Sequence, residues 1–134
     1  MSIGSWDPTA EAESHNIYIE AATLARLVEL SKNDQLEQLK ELISGDESQI
    51  LSGLMDQDPS GWLSATAALP DDDLLHLIRF FTMAENLPGW EAGEKSPVIP
   101  LTKTLRKRGT RLDKDLLSWM KSVNNNRFLP YGPL

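Results

Sequence analysis

Apolar residues recur at three- and four-residue spacing along most of the chain, and no stretch alternates apolar and polar positions long enough to suggest a strand. Ile17, Ala21, Leu24 and Val28, widened by Leu27, form one stripe and predict a first helix from about Asn16 to Ser31. Lys32 and Asn33 interrupt it, with Asn33 expected as the N-cap of a second helix over about Asp34–Ser44. That helix would bury Leu36, Leu39, Leu42 and Ile43 and end at a left-handed Gly45. A third, about Asp46–Gln57, turns Ile50, Leu51, Leu54 and Met55 inward and sets Asp46 and Glu47 at the positive end of its dipole.

After the break DQDPSG, Ser60 is expected to cap a small helix carrying Trp62, Leu63 and Ala67. The strongest signal follows in PDDDLLHLIRFFTMAENL. Pro70 suits a first turn, and three aspartates meet the positive helix end. Leucines, phenylalanines, Ile78 and Met83 then cover most of the circumference, the mark of a helix buried on several sides. Ser96-Pro97 opens a helix that runs to about Arg108, with Val98, Leu101 and Leu105 inside and Gly109 as its stop. The last helix, about Leu112–Val123, buries Leu112, Leu116, Trp119, Met120 and Val123 and ends at three asparagines.

These elements predict an all-α single domain. It is an irregular bundle of five to seven helices built from helical hairpins around Asp71–Leu87, with HEAT-like pairing as one form it can take. Residues 1–15 read as a flexible arm, 16–123 as the helical domain and 124–134 as an extended tail rich in proline and aromatics. DDDLLHLI and DKDLLSWM begin 42 residues apart, a spacing seen in two-helix solenoid repeats. Only two copies are visible, and aspartate followed by two leucines is a generic helix start.

Composition narrows the class. The 134 residues suffice for one domain with a true core, and the absence of cysteine removes disulfides, thiol nucleophiles and thiolate metal sites. It also suits a reducing, cytoplasmic setting. The N-terminus lacks the basic start and apolar segment of a secretory signal. The longest uncharged run, twelve residues from Pro59 to Pro70, is too short to span a bilayer, so no membrane role is expected.

The net charge of −7 conceals a division along the chain. Residues 1–96 carry 18 acids against 5 bases, and residues 97–134 carry 2 against 8. The cations gather in KTLRKRGTRLDK, at Lys103, Arg106, Lys107, Arg108, Arg111 and Lys114. Three roles fit this stretch. Two helices joined by a glycine turn resemble a DNA- or RNA-binding helix-turn-helix, whose cations would neutralise phosphates. Against it, Asp113 and Asp115 occupy the start of the helix that should enter the groove. A second role is docking an acidic protein or an acidic face of another copy, for which arginine's planar fork is suited. The third is structural, since cations at a helix C-terminus offset its dipole and can pair with the chain's own acids.

Other chemistry is sparse. His76 has Asp73 three and Asp72 four residues before it, on one helix face, and the other histidine is His15. No dense ligand motif surrounds either, so His76 reads as a half-exposed histidine held by a first-turn aspartate rather than a metal ligand. There is no G-x-S-x-G elbow and no glycine-rich phosphate loop. Neither enzyme activity, nor a cofactor, nor a small-molecule substrate is indicated. Trp62 and Trp119 belong to the core, while Trp90 in LPGWE either plugs the fold or anchors a partner. The tail RFLPYGPL poses the same choice through Phe128, Leu129 and Tyr131: it covers the domain or enters a partner's groove. The expected function is a non-enzymatic cytoplasmic interaction or regulatory module using the basic stretch, with Trp90, Phe128 and Tyr131 as possible anchors. A nucleic-acid-binding regulator using the same cations is the alternative.

Overall fold

A computed structural model describes residues 19–43, 45–126, 128, 129 and 131. The expected arm, residues 1–15 with His15, lies outside them, as does Ile17 at the start of the expected first helix. Among the described residues the chain is all helical: α1 (Ala21–Lys32), α2 (Leu39–Leu42), α3 (Gly45–Leu51), α4 (Pro59–Thr66), α5 (Asp71–Ala84), α6 (Val98–Lys107) and α7 (Lys114–Val123). Short 3-10 turns occupy Leu36–Gln38, Ser52–Asp56 and Gly93–Lys95. No helix among the described residues is long and apolar enough to cross a membrane.

The apolar helix is central, as its pattern predicts. α5 packs most extensively on α1 and α6 and also meets α7 and the first 3-10 turn, while α4 packs on α6. Leu74, Leu77, Ile78, Phe80 and Phe81 are completely buried on it. A chain of edge-to-face aromatics crosses the core, from Trp62 to Phe81 (5.2 Å), to Phe80 (5.0 Å), to Trp90 (6.1 Å). Each such pair contributes about 0.5–1.5 kcal/mol beyond the area it buries.

Local departures from the sequence expectations have local causes. Asn33 does not cap a second helix; it closes α1. Asp34 takes a left-handed φ of 59°. Its N–H donates to the Ser31 carbonyl at 3.1 Å, and the Gln35 N–H donates to the Leu30 carbonyl at 2.9 Å, a Schellman closure. The chain leaves that turn in 3-10 geometry, so α2 shrinks to four residues. Pro59, not Ser60, sets the start of α4: its ring fixes φ at the first helical position after Asp58. Ile50, expected inside, is 60% exposed because α3 gives way to a 3-10 turn at Ser52 and its face rotates. Trp119 is half-buried, with the Arg79 guanidinium 5.5 Å over its ring. α7 starts at Lys114 rather than Leu112, since the Asp113 carboxylate accepts the Leu116 N–H at 2.7 Å and caps it.

Two of the three asparagines that end α7, Asn124 and Asn126, do more than stop it, and Asn86, just after α5, joins them. Asn124 donates to the Thr82 carbonyl at 2.9 Å, and Asn86 donates to the Val123 carbonyl at 2.7 Å. Asn126 donates to the Gly93 carbonyl at 2.9 Å and to Glu85 at 3.2 Å. The buried Glu85 also accepts the Ala92 and Gly93 N–H groups at 2.7 and 2.9 Å. One carboxylate thus ties the end of α5 to the glycine-rich loop and to the start of the tail.

Candidate functional site

The basic stretch is built by the end of α6 and the turn after it. Gly109, at φ 85°, closes α6 as a second Schellman turn. Its N–H donates to the Arg106 carbonyl at 3.0 Å, and the Thr110 N–H donates to the Leu105 carbonyl at 2.9 Å. Lys103, Arg106 and Lys107 stand at i, i+3 and i+4 on one face of α6, and Arg111 follows on the outgoing chain. These four cations and Gly109 line one recess of about 560 Å³, with no carboxylate among its described lining residues. All four are exposed, and none forms an ion pair among the described residues.

A second recess, of about 410 Å³, adjoins the first through Arg106 and Arg111 and adds Leu112 and Tyr131. The Arg106 guanidinium lies 5.4 Å from the centroid of the Tyr131 ring, a cation–π distance. Tyr131 remains 43% exposed. Leu129 packs against the core, so this part of the tail lies on the domain with Tyr131 beside the cations.

Arg108 has a different fate. One guanidinium nitrogen donates to the Leu69 carbonyl at 2.7 Å and to Asp71 at 2.9 Å. The other donates to the carbonyls of Thr66 and Ala67 at 3.2 and 3.3 Å. Those carbonyls lie at and just beyond the end of α4, where backbone acceptors lack helical partners and a cation offsets the dipole. Asp71 also accepts the Thr110 hydroxyl at 2.5 Å. The Thr110 bond first, and the Arg108 bond and charge after it, hold the Asp71 carboxyl below the usual carboxylate range. Arg108 is therefore part of the fold, and its expected place in an open patch is corrected.

The remaining candidates separate. Trp90 is completely buried, and its ring N–H donates to the Ser48 hydroxyl at 3.0 Å. It is a core plug in this structure, not a surface anchor. Lys114 is exposed at the start of α7 but does not line the basic recess. Phe128 is half-buried and lines a different recess with Glu85 and Asn126. The structure thus brings together Lys103, Arg106, Lys107, Arg111 and Tyr131.

His76 bridges helices. Its Nδ1 lies 2.8 Å from the Ser31 hydroxyl, and its Nε2 lies 3.7 Å from Asp72. Asp73 faces Lys32 instead, at 3.7 Å. No group of three or more histidine, cysteine, aspartate or glutamate side chains is placed to hold a metal among the described residues.

Sequence reasoning missed the Arg108–Asp71–Thr110 corner and the asparagine–Glu85 network. The triple aspartate and the triple asparagine were each visible as helix signals, but their partners in these two networks lie 33 to 42 residues away. No family model matches the chain, and neither does any curated protein or solved structure.

Proposed function

We propose that this chain is a non-enzymatic, cytoplasmic protein–protein interaction or regulatory module. Its contact surface is the groove of Lys103, Arg106, Lys107 and Arg111, and its partner is an acidic protein or an acidic face of a second copy. One observation carries the reading: four exposed cations share a recess with no carboxylate among its described lining residues, while the guanidinium of their neighbour Arg108 is held by Asp71 and by backbone carbonyls. Charge complementarity at such a surface raises association rates and fixes register. The nucleic-acid reading has less support. α6 and α7 each pack on α5 rather than chiefly on one another, unlike the paired helices of a helix-turn-helix. Asp113 and Asp115 are exposed at the start of α7, where phosphates would have to approach.

The test compares the native protein with a variant carrying Glu at positions 103, 106, 107 and 111. The native protein should capture from lysate a partner with an acidic segment, its affinity should fall with salt, and the variant should lose it. Equal capture by both removes the groove from function. Light scattering over a range of concentrations tests the second-copy form. Titration with duplex DNA at two salt concentrations tests the alternative, which requires a steep fall of affinity with salt.

A further inference from the structure

The two adjoining recesses differ in character, and their difference specifies the occupant. Lys103 and Lys107 stand at a purely cationic end. Leu112 and the exposed Tyr131 ring stand at the other, and Arg106 and Arg111 belong to both. Resting on the groove's assignment as an acidic docking surface, we infer that it takes a short extended acidic peptide segment with a bulky apolar or aromatic residue directly beside its carboxylates.

The length follows from what bounds the cations. Lys103 also borders a neighbouring recess that holds three carboxylates, Asp56, Asp58 and Glu94, against one further cation, Lys95, which pairs with Asp56. Asp113 and Asp115 are exposed just beyond Arg111. A long polyanion running through the groove would meet carboxylates at both ends, where close like charges cost affinity. A short segment would not. Lys103 to Lys107 rises about 6 Å along α6, and with Arg111 beyond it the cations span on the order of 10–15 Å. An extended chain covers that in about four residues at roughly 3.3 Å each. The ring of Tyr131 backs Arg106 at 5.4 Å, which orients the guanidinium and leaves exposed ring surface for an apolar neighbour of the acids.

Fluorescence anisotropy with the full chain tests this. One labelled pentapeptide carries four glutamates followed by tryptophan, a second replaces the tryptophan with serine, and a single-stranded ten-nucleotide DNA is the third probe. The tryptophan peptide is expected to bind native protein about fivefold or more tightly than the serine peptide, as an aromatic anchor should. Tyr131→Ala should erase that preference while Tyr131→Phe keeps it, and Arg106→Glu with Arg111→Glu should weaken both peptides at least about tenfold. Equal affinities for the two peptides, lost in the double variant, overturn the aromatic specificity and leave the groove assignment standing. A preference that survives Tyr131→Ala overturns the role of the ring. Tighter binding of the oligonucleotide than of either peptide overturns the peptide assignment. Native-like peptide binding by the double variant sinks the groove assignment itself.

Discussion

Two sets of cations on one stretch of chain have opposite surroundings. At the corner between α4 and α5, Arg108 reaches across the domain to three backbone carbonyls and one carboxylate. In the groove, Lys103, Arg106, Lys107 and Arg111 meet solvent, and the Arg106 guanidinium lies beside the Tyr131 ring. The difference arises from helix register just before Gly109. Its left-handed turn ends α6, and Arg108, three and seven residues after the buried Leu105 and Leu101, continues the inner stripe toward the end of α4, while Lys103, Arg106 and Lys107 stand on the outer face. Charge clustering in a sequence therefore says little about function until the cations consumed by helix ends are subtracted.

The sharpest division between fold and surface is expected at Trp90. Trp90→Ala should destabilise by about 3–5 kcal/mol in equilibrium denaturation, as removal of a large buried aromatic does. A loss below about 1 kcal/mol would return Trp90 to the surface set. Arg108→Ala comes next, at about 1–3 kcal/mol, because it leaves carbonyls and a carboxylate without their charged donor. Asp71→Asn should cost less than Arg108→Ala, and its cost should depend on pH. The native carboxyl titrates below its ordinary value, so its contribution is complete above the unfolded pKa of about 4 and disappears as pH falls through the folded value. The gap in melting midpoint between native and Asp71→Asn should thus hold from neutral pH down to about pH 5 and close below about pH 4. Single substitutions Lys107→Ala or Arg111→Ala should change stability by no more than about 0.5 kcal/mol, as exposed and unpaired positions do. A loss like that of Arg108→Ala would break the contrast between the two sets.

How far this was legible depends on the range of the interactions involved. Helix class and the central place of α5 follow from periodicity, because eight apolar positions on one segment can be satisfied only by burial on several sides. Gly109 ends its helix at positive φ as expected, whereas Gly45, also at positive φ, opens α3, and α2 has already ended at Leu42 with Ile43 extended. Asn33 misled, since asparagine favours helix starts and helix ends alike, and here the left-handed Asp34 beyond it decided the matter. Trp90 and the tail were left between two roles because burial depends on what approaches them. For Trp90 the approach comes from Ser48, 42 residues away. The groove was half legible. Its cations are visible in the sequence, but the removal of Arg108 and the arrival of Tyr131 both depend on tertiary packing.

The most direct test measures one affinity in three proteins. The tryptophan-bearing acidic peptide is titrated into native protein, Arg108→Ala, and the variant with Glu at 103, 106, 107 and 111, all well below their melting transitions. Native protein and Arg108→Ala should bind alike, and the groove variant should lose at least about tenfold, a difference of about 1.4 kcal/mol. A groove variant that binds as well as native protein, or an Arg108→Ala protein that loses as much as the groove variant, would contradict the account.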